Sequence, residues 1–315
     1  MLGAKLNDTM FTIKAELLRS LYNDDTIYHY TKTSTAIDYI FFNQQLRFSK
    51  SLNSSDPIES RKAHRSTVYF NVQADRTQNQ EEYEDVNFLH RYVENFETNF
   101  HQICFCKNSI NDGIESITHF NGYEELFGFT KLRMWDQYAD KYSGICIAFS
   151  KSKILELNKD KIKLFFGDIK YLSFEDISLK KIGNIQGNHL LNVGKEYYQE
   201  QLKEQIIDSL FIKHQDYSNE NEFRIGTFFD KEKASVEFVR DEPIFYQSMM
   251  LEITDCVKAI FMSSFVNDKQ KEELLNYSNK LNVDLIEIKW KYNSIELIDY
   301  KKNTEFYKQL LNSEK

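Results

Sequence analysis

With 315 residues, 41% of them hydrophobic and 15% aromatic, the chain has the length and apolar content to fill a large core, which excludes a disordered protein. A net charge of −8 excludes a global positive field, so nucleic-acid binding would need a local basic groove. No run has the apolar length of a signal-peptide core or of a membrane span of about 20 residues, and Cys104, Cys106, Cys146 and Cys256 sit in apolar, strand-like runs that suit reduced thiols. The expectation is a cytoplasmic protein with no membrane partner.

Asn7 or Asp8 is placed to cap an amphipathic helix ending near Leu21, and Thr26 to Tyr30 then alternates as a short strand. Thr33 or Ser34 caps a second helix whose Ala36, Ile37, Ile40 and Phe41 recur at helical spacing, and Leu46 to Ser49 returns as a strand. Pro57 and the serines of "SSDPIES" predict a loop. Residues 73–100 read as a helical surface insertion, because Tyr83, Val86, Phe88 and Leu89 give a charged helical pattern only a narrow apolar stripe.

"QICFCK" and "GICIAFS" then read as buried strands flanking an amphipathic helix, "YEELFGFTKLRMWDQYAD". Leu164 to Leu172 predicts a hairpin, and Leu190 to Lys213 a long polar helix. Strands follow at Glu222 to Phe229, Ser235 to Val239, Met249 to Ile253 and Val257 to Met262, then a charged helix, with "VDLIEIKWK" as the last clear strand. The irregular mixture predicts an α+β class: one elaborated domain over residues 1–315, with a mixed or mostly antiparallel sheet and flanking helices.

Four polar concentrations stand out from this core pattern. Alternation puts His29 and Thr31 on one strand face and Tyr28 and Tyr30 on the other, so an imidazole and a hydroxyl point together, as ribose hydroxyls require. Ser49, Asn53 and Asp56 belong to a loop with more polar side chains than a short connection needs. Trp135, Tyr138 and Tyr142 can form an aromatic stripe edged by Arg133, Asp136 and Gln137, a platform for a planar ring. In "NENEFRI", Glu220, Glu222 and Arg224 alternate on one strand face, either as a solvated edge or as a carboxylate held by an arginine.

The blocks "YHYT", "AIDYIFFNQQLRFSKSLNSSDPIES", "CFC", "MWDQYADKYSGICIAF", "KHQDYSNENEFRI" and "VKAIFMSS", in that order, resemble the bacterial domain-of-unknown-function family numbered 2971. The stretch from Tyr28 to Phe48 also resembles the opening of the ADP-ribosyltransferase fold, although Gln45 stands where those enzymes usually have glycine. That resemblance implies an enzyme that cleaves the nicotinamide–ribose bond of NAD and transfers ADP-ribose to an unknown acceptor. It implies His29 and Glu222 as ribose contact and catalytic carboxylate, Tyr138 as a candidate stacking ring, and no metal. Thr31, Ser49, Asn53, Asp56, Trp135 and Arg224 are the further candidates for holding NAD, with Arg224 either keeping Glu222 ionised or binding pyrophosphate.

Two rival classes remain. The same pocket would also serve a non-catalytic nucleotide sensor or interaction module. Glu287-Ile288-Lys289 has the spacing some metal-dependent nucleases use on a strand, but no upstream aspartate partner is evident. Cys104-x-Cys106 is too closely spaced for the usual zinc knuckle.

Overall fold

The computed structural model describes residues 13–51, 80–114, 117, 119–179, 190, 192–228, 235–239, 242–246 and 249–313. It confirms an α+β architecture with a mixed sheet at its centre. Among the described residues the main sheet has nine strands. Eight follow the order β15-β14-β13-β5-β1-β4-β9-β6, and β3 pairs separately with β4. In chain order these are β1 (Thr26–Thr31), β3 (Ser49–Lys50), β4 (Phe100–Lys107), β5 (Ile145–Ser150), β6 (Phe165–Asp168), β9 (Glu222–Phe228), β13 (Val257–Ser263), β14 (Asp284–Lys291) and β15 (Ser294–Asp299). Only β13 and β14 run parallel in it.

Both faces of this sheet are apolar, as the period-two strands require. On one face Ile27, Ile103, Phe105, Ile147 and Met262 pack under Ala36, Ile37, Ile40 and Phe41. Those four residues belong to a helix that starts as α1 (Thr33–Thr35) and continues as a π-helical stretch, Ala36–Phe41. On the other face Tyr28, Tyr30, Cys106, Ala148 and Phe261 pack against Phe127, Phe129 and Trp135. Phe129 and Phe261 stack with ring centroids 4.1 Å apart.

Several expectations give way to tertiary context. The predicted amphipathic helix before β5 is three short pieces, 3-10 turns at Glu124–Leu126 and Gly128–Thr130 and then α2 (Leu132–Gln137). The breaks fall at Phe127 and Lys131, whose backbones are extended, while Gly128 lies so close to Tyr28 that a side chain there would collide with its ring. The predicted hairpin at residues 164–172 is two strands that do not pair with each other, because β6 joins β9 while β7 (Lys170–Leu172) joins β8 (Ile212–His214) in a small parallel sheet. The polar helix is Lys195–Ser209, and it buries Tyr198, Leu202 and Ile206 against Leu89 and Val93 of the helix Gln80–Asn99. Sequence reasoning did not anticipate β15, which returns antiparallel on β14 after a turn at Tyr292 and Asn293.

The feature that positions the site is a split in the main sheet. Strand β1 pairs with β5 along its whole length, from Thr26↔Ser150 to Thr31↔Ile145, but meets β4 at only Ile27↔Lys107 and Tyr28↔Cys106. Strand β4 is fully paired with β9 on its other edge, from Phe100↔Phe228 to Cys106↔Glu222. The edge abandoned by β1 is taken up again by β3 at Ser49↔Gln102 and Lys50↔His101.

The close approach of β1 to the chain entering β5 depends on Gly144, where a Cβ would strike the carbonyl oxygen of Thr31 and lie 2.7 Å from the backbone of Ala139. Backbone cannot yield as a side-chain tip does. Gly144→Ala is therefore expected to lower the unfolding free energy by about 1–3 kcal/mol, the usual cost of overpacking. Urea denaturation beside the wild type measures this, and an unchanged midpoint would show that the chain relaxes there freely.

Candidate functional site

Between its contacts with β1 and β3, the edge of β4 at Ile103–Phe105 is open, and a cleft of about 360 Å³ lies along it. Its walls include His29 from β1, Ser49 and Lys50 from β3, Met134 and Tyr138 from the region of α2, and Lys213, Glu220 and Glu222 from the chain leading into β9. The volume falls in the roughly 300–1,000 Å³ range of small-molecule sites.

His29 sits where β1 begins to diverge. Its Nδ1 lies 3.1 Å from the carbonyl oxygen of Cys104, on the open stretch of β4. A carbonyl only accepts, so Nδ1 carries the hydrogen and the neutral ring keeps its lone pair on Nε2. Burial pushes the His29 pKa below its ordinary value and outweighs the opposing effect of the Cys104 carbonyl. The ring is thus a neutral hydrogen-bond acceptor at pH 7, held beside the Phe105 ring at 5.7 Å.

The opposite wall is a buried charge network. Glu222, Arg224, Lys213 and Glu220 are 3%, 0%, 3% and 3% exposed, so each charge needs a partner. Arg224 donates from Nε to Glu222 Oε1 at 2.8 Å, with Nη2 at the same distance, while its Nη1 donates to the carbonyl of Leu210. Lys213 Nζ lies 2.6 Å from Glu222 Oε2 and 2.9 Å from Glu220 Oε2. Two carboxylates and two cations leave the network neutral. Burial raises the Glu220 pKa although Lys213 opposes it, and Glu220 Oε1 has no hydrogen-bond partner among the described residues.

Local structure delivers these groups. The 3-10 segment Gln215–Glu220 folds the chain back so that Lys213, in the middle of β8, meets Glu220 and Glu222. Asn221 adopts a left-handed conformation, φ 44°, and its side chain donates to the carbonyl of Asn108 at 2.8 Å, fixing the start of β9. The hydroxyl of Tyr171 accepts the backbone N–H of Glu222 at 2.8 Å.

The structure brings four of the sequence candidates to the cleft, His29, Ser49, Tyr138 and Glu222, although they are spread over most of the chain. Trp135 is corrected. It is fully buried, donates from Nε1 to the carbonyl of Phe129 at 2.8 Å and meets Tyr30 edge-on, so it is core and not a ligand platform. The helical stripe dissolves with it, since α2 ends at Gln137 and Tyr142 lies in a turn with φ 71°. Arg224 does not line the cleft; of its two expected roles, the contacts fit holding Glu222 and leave no free face for pyrophosphate. Thr31 is buried and does not line the cleft, whose β1 wall is Tyr28, His29 and Tyr30. Asn53 and Asp56 lie outside the described residues.

Sequence reasoning missed Lys213 as a site residue. Its signal was a lone lysine next to Phe211 and Ile212, where a solvated lysine would be out of place. Glu287 of the nuclease-like triplet is held by Lys271 Nζ at 2.6 Å, with Lys289 at 3.9 Å. Among the described residues no group of three His, Cys, Asp or Glu side chains could hold a metal ion.

Fold and site together define an α+β protein with a ligand-sized cleft at a split sheet. Residues 134–225 match the model of a family described as Protein of unknown function (DUF2971). The match supports the family resemblance over that stretch, which contains the blocks from Met134 and from Lys213; the opening block around His29 lies outside it. No curated protein and no solved structure matches the chain.

Removing one cation from a buried network strands a carboxylate, so Lys213→Met is expected to cost about 3–5 kcal/mol in urea denaturation. A cost below 1 kcal/mol would mean that water reaches the network. Glu220 gives a pH signature. Its folded-state pKa is raised above 4.5, the ordinary value for a glutamate, so its contribution to stability is complete below that value and is lost as pH rises through the higher folded-state one. Relative to Glu220→Gln, the wild type should lose stability above pH 4.5. Parallel pH profiles of the two proteins would refute the shift.

Proposed function

We propose that the chain is an ADP-ribosyltransferase-like enzyme that binds NAD in the cleft beside β4, breaks the nicotinamide–ribose bond and passes ADP-ribose to an acceptor. The observation that carries this reading is the convergence of His29, Tyr138 and Glu222 on one cleft. In it, Nε2 of the neutral His29 accepts a ribose hydroxyl, and Tyr138 packs against a ring of the ligand. The cleft volume admits one end of the dinucleotide, with the remainder lying over the rim.

The chemistry asks little covalent work of the protein. The carbon–nitrogen bond breaks with its electron pair leaving on nicotinamide, and the ribose carbon gains oxocarbenium character that a fixed carboxylate stabilises more than it stabilises the ground state. Glu222, held in place by Arg224 and Lys213, is that carboxylate. The acceptor's lone pair then forms the new bond to the ribose carbon, and its proton passes to Glu220, whose Oε1 has no hydrogen-bond partner among the described residues and whose carboxylate, with its pKa raised by burial, is a better proton acceptor than an ordinary one.

One observation favours a second reading. Arg224 and Lys213 neutralise much of the field of Glu222, which suits a pocket that recognises a nucleotide without turning it over. Calorimetry for NAD binding beside an assay of nicotinamide release separates the two. His29→Ala is expected to weaken NAD binding about tenfold or more, whereas Glu222→Gln should keep binding within threefold and lower turnover by about 10²–10³-fold. The urea midpoint of Glu222→Gln beside that of the wild type checks that lost turnover is not lost folding. Tight binding with no nicotinamide release by the wild type would establish the sensor, and no NAD binding would end both.

A further inference from the structure

We propose that Arg47 and Lys50 form a phosphate subsite at the Gln102 end of the cleft, which makes its ligand a nucleoside diphosphate and not a bare nucleoside. The proposal rests on the nucleotide reading of the cleft and assigns residues that the sequence did not single out.

The charges along the cleft are divided unevenly. At the end where Cys106 faces Glu222, the carboxylates are matched by Lys213 and by Arg224 behind them. At the other end, Arg47 and Lys50 both line the cleft and are both exposed, and neither makes an ion pair among the described residues. Among the described residues the cleft therefore carries surplus positive charge at one end only, within a chain of net charge −8. Such a local surplus attracts an anion that the protein's overall charge would repel.

The strand register fixes where these cations stand. Arg47 closes β2 (Gln45–Arg47), which is tied to β12 (Met250–Glu252) by Leu46↔Leu251, and Ser49 two residues later pairs with Gln102. Lys50 pairs with the preceding residue of β4, His101, as the antiparallel register requires. From Gln102 to Cys106 is four residues of extended β4, about 14 Å. That separates the cations from Glu222 by a length that a nucleotide spans from its phosphates to its far ring.

Gln102 supplies an independent sign of a ligand. It lines the cleft, is only 6% exposed, and its Oε1 has no hydrogen-bond partner among the described residues. A buried carboxamide oxygen without a donor carries an uncompensated desolvation cost, which a ribose hydroxyl next to the phosphates would relieve. The arginine offers a planar fork to phosphate oxygens and the lysine a point charge, so Arg47 should contribute more.

Isothermal titration of the full chain with ADP, adenosine and inorganic pyrophosphate tests this, using the wild type, Arg47→Gln and Lys50→Gln. Arg47 is exposed at a strand end, so its variant is expected to melt with the wild type. ADP should bind at least about tenfold more tightly than adenosine, and Arg47→Gln should remove about tenfold from ADP while leaving adenosine unchanged. Equal affinities for ADP and adenosine in the wild type would overturn the subsite while leaving the nucleoside cleft standing. So would an ADP affinity indifferent to both substitutions. If neither adenosine nor ADP binds, the nucleotide reading itself fails. In that case Arg47-dependent binding of pyrophosphate would still support an anion site, and its absence would overturn the subsite as well.

Discussion

Strand β4 is shared by two half-sheets that diverge from each other. On one side it is committed to β9 from Phe100 to Cys106, and on the other it holds β1 by only two residue pairs before β1 follows β5 away. A strand edge left in the interior must find partners for its backbone groups. Strand β3 supplies them at one end, the His29 ring satisfies the Cys104 carbonyl, and the space between is the cleft. The single histidine of β1 thus serves the fold and the site at once: its hydrogen bond to backbone fixes the tautomer that makes its other nitrogen an acceptor.

The charge network under the far wall follows from the same geometry. Glu222 and Arg224 of β9 are almost wholly buried, so their charges must be met within the protein. Neutrality is reached only because the turn after β8 returns Lys213 to Glu220 and Glu222. The arrangement is costly to assemble, since desolvation of buried ions offsets much of their attraction. What it provides is position: Glu222 is held from both oxygens and through its backbone by Tyr171. Tyr217, with Arg133 4.7 Å above its ring and Lys213 at 5.5 Å, links the network to α2, which borders the cleft.

Much of this fold was legible because its strands are short, apolar and periodic. Thr26 to Tyr30, "QICFCK", "GICIAFS" and "VDLIEIKWK" are all strands of the main sheet, and the alternation that separates His29 from Tyr28 and Tyr30 is present in it. Local pattern failed where long-range contacts decide. Helical spacing made Trp135 and Tyr138 look like one surface, but Trp135 turns inward to the Phe129 carbonyl and only Tyr138 reaches the cleft. Period alone also made Glu220, Glu222 and Arg224 equivalent, whereas Arg224 lies beneath the cleft and the two glutamates line it. Lys213 was only half legible: its apolar neighbours Phe211 and Ile212 mark it as out of place in solvent, but its partners depend on the fold of the intervening 3-10 turn.

The central claim is that His29 is a neutral acceptor, hydrogen-bonded through Nδ1, at the wall of a nucleotide cleft. Nitrogen-15 NMR of the histidine rings tests it most directly, by titrating NAD into uniformly labelled protein at pH 7. The account predicts that His29, among the seven histidines, shows a neutral Nδ1–H ring whose Nε2 resonance shifts as NAD saturates the cleft. A protonated His29, an Nε2–H tautomer, or a ring unmoved at saturating NAD would contradict it.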